Sequence, residues 1–244
     1  MNHISIELVP RAEHSLHKEL QIVSGAFKRV TMVNIPDIVR FELRSWQAAA
    51  IAKQYYSNCV PHIRACDFDT EEKILSLLHF LDIHHITNVL VVSGDTDSNG
   101  RSSNTSVELI AKLKQQSPIL TVYAGVDPYR SSIRIEKEYS MRKREAGADG
   151  FFTQPFFDMR LLEIYHHVLQ ADTIFWGLSP VVTASNARYW EKKNNVVFPK
   201  NFKPTLSWNR AFAQRVIKFI NRYGGNLYFM PIKVDIAEYL KGIL

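Results

Sequence analysis

The sequence predicts a (β/α)8 TIM barrel, and three observations carry that prediction. Eight short apolar runs alternate with helical patterns along the whole chain, the alternation that builds a parallel sheet. Runs such as Asn88-Val89-Leu90-Val91-Val92 are nearly continuously apolar, as suits strands buried on both faces. An open doubly wound sheet would carry a Gly-rich phosphate loop after its first strand, and Val9-Pro10-Arg11-Ala12-Glu13 has none. Length agrees, since 244 residues is close to the roughly 250 typical of this barrel. Residues 1–244 read as one domain, with no linker, low-complexity tract or internal repeat.

In chain order, the strand at 4–10 is apolar but for Ser5 and Glu7, and a helical period follows at 14–27. The strand at 29–35 leads to a helix at 42–56, and the strand at 59–66 to one at 70–84. The run at 88–94 ends in Ser93-Gly94-Asp95, and a polar loop, 96–104, precedes the helix at 105–116. The strand at 119–126 leads to a helix at 133–147, which Gly147 ends. The strand at 150–156 is followed by Asp158, a capping residue for the helix at 159–170. Thr183 is placed to cap the helix at 184–194 after the strand at 173–180. A helix at 208–223 ends at Gly224-Gly225, before the eighth strand at 226–232 and a last helix at 235–244.

The formal charge is +6 and the pI about 9.2, yet the Lys and Arg are scattered over helices. No RNP, zinc-finger or basic-zipper pattern accompanies them, which argues against nucleic acid. A basic surface that helps attract an anionic ligand is the simpler account. Cys59 and Cys66 fall in one predicted strand, seven apart and so on opposite faces, and are expected to be free thiols of the core in a reducing compartment. No charged-then-apolar leader precedes the first strand and no run reaches membrane-spanning length. The expected location is cytoplasmic, with no membrane partner.

Ligand chemistry in such barrels sits at the carboxyl ends of the strands. Those ends carry Glu7, then Thr31 and Asn34, His62 and Arg64, Gly94-Asp95, Gly125-Val126-Asp127 and Thr153-Gln154. Glu7 stands out, because a carboxylate in an apolar strand is costly to bury and is paired, protonated or at the mouth. His62 reads equally well as a satisfied core histidine. The adjacent pairs His84-His85 and His166-His167 point about 100° apart on helices and read as surface decoration. Asp67-Phe68-Asp69 and Asp95-Thr96-Asp97 are loose metal-like patterns with no third ligand, so no metal is expected.

With these residues in view, the chain resembles the methylenetetrahydrofolate reductase family over nearly its whole length. The matching pieces, in order, are Ile6-Glu7-Leu8-Val9-Pro10, Val30-Thr31, Pro61-His62-Ile63, Gly94-Asp95 and Trp176-Gly177-Leu178-Ser179-Pro180. The most specific is Ala146-Gly147-Ala148-Asp149, followed by Thr153-Gln154-Pro155-Phe156-Phe157-Asp158. The resemblance implies NAD(P)H-dependent reduction of 5,10-methylenetetrahydrofolate to 5-methyltetrahydrofolate through FAD on a (β/α)8 barrel. It implies Glu7 as general acid and Asp95 as stabiliser of the cationic intermediate. It also implies a flavin lined by Thr31, His62, Asp95 and Ala148, with Arg142 and Lys143 at its diphosphate. Glu7, Asp95, Gln154 and Lys233 would meet the folate, and a homo-oligomer is the assembly implied.

The chain departs from the family pattern at four places. Ser93 stands where the family has Arg, and Lys233 where it has another Arg. The loop Gly125-Val126-Asp127-Pro128-Tyr129-Arg130 lacks the family's aromatic-Pro-Glu-x-His order, and the segment between strands seven and eight is short. These departures leave open a flavin-independent folate-dependent methyltransferase or demethylase, or a non-catalytic folate-binding relative, on the same barrel.

Overall fold

The computed structural model describes residues 3–94, 104–169 and 173–244. Its strands are β1 (Ile4–Glu7), β2 (Met32–Ile35), β3 (Cys59–Arg64), β4 (Asn88–Val92), β5 (Thr121–Val126), β6 (Gly150–Pro155), β7 (Ile174–Leu178) and β8 (Asn226–Phe229). Helices α1 (Glu13–Ala26), α2 (Ser45–Ala52), α3 (Glu71–Ile83), α4 (Ser106–Gln116), α5 (Ile133–Glu145) and α6 (Met159–Leu169) each follow one strand. Two helices, α7 (Ala184–Asn194) and α8 (Leu206–Tyr223), separate β7 from β8, and α9 (Ile236–Leu240) closes the order. The strands form a closed parallel barrel in sequence order. Closure is made by β1, whose Ser5 lies opposite both Met32 of β2 and Tyr228 of β8.

The period-two alternation of the strands divides two apolar layers. Ile4, Ile6, Val33, Val89, Phe151 and Trp176 point outward into the core shared with the helices. Met32, Val60, Leu90, Tyr123, Phe152, Phe175, Tyr228 and Met230 point inward. Phe152 stacks on Phe175 at 4.1 Å and 6°, and Tyr123 and Tyr228 meet Phe152 edge-on at 5.2 and 5.1 Å. These rings plug the barrel and give any ligand above them an apolar floor.

Each expected strand and helix is present, mostly trimmed at its ends. Thr70, Thr105, Ser132, Thr183, Thr205 and Asp235 cap their helices by accepting a backbone N–H. Gly224 leaves α8 at φ +91°, a region costly for other residues. Helix α2 begins at Ser45 rather than 42, because the Asp37 carboxylate accepts the Ser45 N–H at 3.0 Å and holds the preceding turn open.

Two expectations are corrected. Strand β3 ends at Arg64 and the chain turns into a short 3-10 helix, Ala65–Asp67. Cys66 therefore lies off the strand beside Arg64, while Cys59 is buried in the outer core; both thiols are free. His166 is no surface ornament. It stacks on Trp176 at 5.6 Å and meets Phe219 and Tyr223, joining α6 to α8, while His167 is exposed. Among the described residues no group of His, Cys, Asp or Glu is placed to hold a metal, and no helix is long and apolar enough to cross a membrane.

Candidate active site

A cavity of about 970 Å³ opens at the carboxyl ends of the strands, and Glu7, His62, Arg64, Asp127, Lys143 and Gln154 line it. That is the upper end of the range for small-molecule sites. Leu90, Phe152, Tyr228 and Met230 supply the apolar part of its wall.

Glu7 is the last residue of β1 and half-buried, and its carboxyl Oε2 accepts a hydrogen bond from the Tyr228 hydroxyl. Burial raises this carboxyl to about 7, against the opposing pull of the tyrosine hydrogen bond. A carboxylic acid that titrates near neutrality can both hold and release a proton at working pH.

His62 on β3 is buried, and burial pushes its imidazole down to about 3. Asn34 Nδ2 donates to Ser5 Oγ at 2.6 Å, so its Oδ1 is the acceptor that faces His62 Nε2 at 3.2 Å. The chain Ser5–Asn34–His62 crosses β1, β2 and β3 and assigns the Nε2–H tautomer to a neutral ring. His62 is therefore a fixed polar wall and not an acid.

The opposite wall is built by β5 and α5. Glu136, fully buried, accepts the Asp127 N–H at 3.0 Å and pairs with Arg130 at 2.6 Å. Lys143, also buried, donates to Gly125 O at 2.6 Å and lies 4.0 Å from the Tyr139 ring centroid. Burial pushes its ammonium down to about 8, opposed mainly by Glu136, and no carboxylate of the described residues lies within 4.0 Å of it. A desolvated cation without an ion pair gains most from an incoming anion. On the third side Arg44 joins Asp37 and Asp67 at 2.5 and 2.6 Å, and Arg64 lies 3.7 Å from Asp67.

The residues expected at the site divide accordingly. Glu7, His62, Lys143 and Gln154 share the cavity. Asp95 lies outside the described residues. Lys233 follows β8 in the left-handed region, φ +57°, with its Nζ 5.4 Å from the Tyr189 ring centroid. It lines a smaller pocket of about 280 Å³ that has Glu7 as a shared wall with the main cavity.

Three expected positions are elsewhere. Thr31 precedes β2 at the amino end of the barrel, exposed, with its hydroxyl 3.2 Å from His3 Nδ1 and accepting the Ile4 N–H. The residue β2 presents beside His62 is Asn34, three positions on. Arg142 is exposed, with its guanidinium 5.1 Å from the Tyr139 ring centroid, because neighbours on a helix diverge by about 100° and Lys143 takes the inward direction. Ala148 is buried in the outer core and does not line the cavity.

Sequence reasoning passed over Tyr228, although the alternation Leu227-Tyr228-Phe229-Met230 marks Tyr228 and Met230 as the inward pair. It also passed over Arg130, Asp37 and Tyr189, which stand on loops or a helix and have no periodicity to betray them.

A pH dependence of stability follows from Glu7. Its folded pKa lies above its ordinary value of 4.5, so its contribution is complete below about 4.5 and is lost as pH rises through about 7. Denaturant titrations of the parent and Glu7→Gln from pH 5 to 8 should show the parent losing stability relative to the variant by up to about 3 kcal/mol. A constant difference across that range would place the carboxyl in solvent.

Comparisons with known proteins bear on the fold and on the family. Among solved structures, an uncharacterized protein from Clostridium thermocellum that binds two copies of 5-methyl-5,6,7,8-tetrahydrofolic acid is similar at a TM-score of 0.69 and 14% identity, over 98% of this chain and 93% of that one. A 2,3-dimethylmalate lyase of the PEP mutase/isocitrate lyase superfamily is similar at a TM-score of 0.58 and 10% identity, over 95% of this chain and 75% of that one. At such identities the likeness is one of fold. No curated protein matches the sequence. The methylenetetrahydrofolate reductase family model matches residues 15–216. The matched segment runs from α1 into α8, and includes His62, Lys143, Gln154 and the helix-turn-strand segment 146–158. The chain belongs to the methylenetetrahydrofolate reductase family.

Proposed function

We propose that this chain is an oxidoreductase of folate one-carbon metabolism that reduces 5,10-methylenetetrahydrofolate to 5-methyltetrahydrofolate with NAD(P)H. The observation that carries the proposal is Glu7: a carboxyl raised to about 7, beside an apolar floor, in a cavity it shares with the amide of Gln154. Opening the methylene bridge leaves a nitrogen that must be protonated, and Glu7 supplies that proton. The bridge carbon, now an iminium, accepts a hydride and becomes the methyl group. One proton and one hydride are consumed, and NAD(P)+ is the other product. Gln154 offers a donor and an acceptor to the amide-like edge of the pterin, and Leu90, Phe152 and Met230 exclude water around it.

The wall chemistry fits a diphosphate-bearing cofactor at Lys143, whose buried ammonium has no carboxylate partner among the described residues. FAD, when bound, supplies a hydride relay between nicotinamide and folate. Lys143 would hold its diphosphate, and His62 would stand beside it as a neutral polar wall. A second reading, flavin-independent chemistry on the same folate site, draws support from Thr31, Arg142 and Ala148, which lie off the cavity.

Purified protein supplied with NADH or NADPH and 5,10-methylenetetrahydrofolate, with and without added FAD, tests both readings. Formation of 5-methyltetrahydrofolate in step with nicotinamide oxidation is the expected result. Turnover independent of FAD would select the second reading, and no folate reduction under any of these conditions would overturn the oxidoreductase.

The two basic residues of α5 should behave differently. Lys143→Ala is expected to weaken binding of FAD or ADP at least tenfold by fluorescence titration, since a charge-assisted contact contributes about 1.5–3 kcal/mol. Arg142→Ala should leave it within twofold. Equal losses in the two variants would point to general surface charge.

A further inference from the structure

We propose that Tyr228 is the positioning residue for Glu7: its phenol occupies one carboxyl oxygen, Oε2, and so reserves Oε1 as the oxygen that carries the proton. The inference rests on the reading of Glu7 as an acid and goes beyond it, because it assigns which atom acts and what holds it.

The geometry is that of two adjacent strands. Tyr228 and Glu7 stand on β8 and β1, which pair directly, with Ser5 opposite Tyr228 and Glu7 two residues further on the same inward face. The Tyr228 ring is buried against Phe152 at 5.1 Å, and Phe152 is itself stacked on Phe175. The phenol is thus anchored by the barrel plug and reaches upward to the carboxyl. Burial and the adjacent Glu7 both raise the Tyr228 pKa well above its ordinary value. It therefore stays protonated and serves as a permanent donor, which leaves Oε2 an acceptor and the carboxyl proton to Oε1.

The charges around Glu7 leave this contact dominant. Arg11, Glu19, Lys233 and Asp235 share the smaller pocket with it, and Asp37, Arg64 and the neutral His62 share the main cavity. Only burial and the Tyr228 hydrogen bond move its titration appreciably. Burial alone would lock the proton on, and the phenol offsets burial enough to let Glu7 release it. A phenylalanine would keep the plug and lose the offset.

The test is Tyr228→Phe, which removes one oxygen and keeps the ring. In the ligand-free protein labelled with 13C at glutamate carboxyl carbons, the Glu7 signal, assigned by its loss in Glu7→Gln, reports the titration directly. We expect Tyr228→Phe to move that titration upward by about one to two pH units, since a hydrogen bond to a charged group is worth about 1.5–3 kcal/mol and one pKa unit about 1.4 kcal/mol. Unchanged circular dichroism would show the fold intact. Tyr228→Leu, which also removes the hydroxyl, should shift the titration in the same direction. A Glu7 titration that stays put in both variants overturns the proposal, whatever the activity. In folate turnover, Tyr228→Phe should lower kcat at least tenfold at pH 7 with KM within threefold, and move the pH profile with the carboxyl. A shifted titration in a protein whose parent turns over no folate would leave the positioning intact and reject the oxidoreductase reading alone.

Discussion

Glu7→Gln is expected to lower folate reduction by about 10²–10⁴-fold, the usual worth of a general acid, while making the protein more stable above pH 7. The two effects have one cause. The cavity holds a carboxyl at a pKa of about 7 by denying it water, and a deprotonated Glu7 bears that desolvation cost with only a partial offset from the Tyr228 hydrogen bond. Glutamine keeps the shape, still accepts from Tyr228 through its carbonyl oxygen and carries no charge, so the variant escapes the cost. It also cannot deliver a proton, so bridge opening fails. Any step that passes hydride from nicotinamide to a bound flavin requires stacking and no acid, and is expected to proceed at the parental rate in stopped-flow measurements. Equal slowing of both half-reactions would make Glu7 a structural residue, and parental folate turnover would move the acid elsewhere. A residue serving only the fold would lose stability on substitution, so the opposite signs of the activity and stability changes identify the role.

The barrel was legible because strand burial is a period-two or continuous apolar signal, and helices between strands carry their own caps. The same signal reached Glu7, His62 and Gln154, each a polar residue interrupting an apolar strand at its carboxyl end. It failed at Thr31, where the apolar run of 29–35 begins before the ladder does. Val30 N–H is taken by Phe27 O in a turn, Thr31 N–H reaches only the first carbonyl of β1, Ile4 O, and the residue register of the strand begins at Met32. Moving the strand start moves the mouth residue from Thr31 to Asn34, whose partner across the strands is His62.

Lys143 and Arg142 were legible as a pair and not as individuals. A basic pair at a helix end says nothing about which side chain turns inward, and here the buried face of α5 includes Glu136, Ser140 and Lys143, spaced three and four apart. That spacing is readable once the burial of Glu136 is known, yet a glutamate and a lysine on one helical stripe ordinarily describe a solvated face. The wall is made of buried charges, Glu136 and Lys143, with the exposed Arg130 paired to Glu136, and hydrophobic periodicity does not register such a cluster. Tyr228 was hidden for another reason: an aromatic in a strand is usually core, and its hydroxyl acquires a role only when closure of the barrel brings β8 beside β1.

Gly177→Ala is expected to cost about 3 kcal/mol or more and to lower Tm by roughly 6–12 °C for a chain of this size, an effect far above that of a surface change. A Cβ at Gly177 would lie 2.4 Å from Thr153 O and 2.8 Å from Gln154 O, both backbone atoms, and 2.8 Å from Met230 Cε. The methionine can rotate away, but the two carbonyls belong to β6 and cannot move without the strand. Between β6 and β7 the register shifts, so that Phe152 faces Phe175 but Pro155 faces Gly177. Thr153 Oγ1 accepts the Gly177 N–H at 2.8 Å where the regular ladder is interrupted. The missing side chain admits this irregularity, and the irregularity sets where Gln154 meets the cavity. Substitution should therefore raise KM for the folate as well as lower Tm, with circular dichroism and thermal unfolding read beside kinetics. Gly25→Ala provides the contrast, since nothing lies within 4 Å of its Cβ on the exposed side of α1. There alanine should be neutral or stabilising by about 0.5–1 kcal/mol. If Gly177→Ala melts with the parent and binds folate as tightly, the close approach of β6 and β7 is not what positions Gln154.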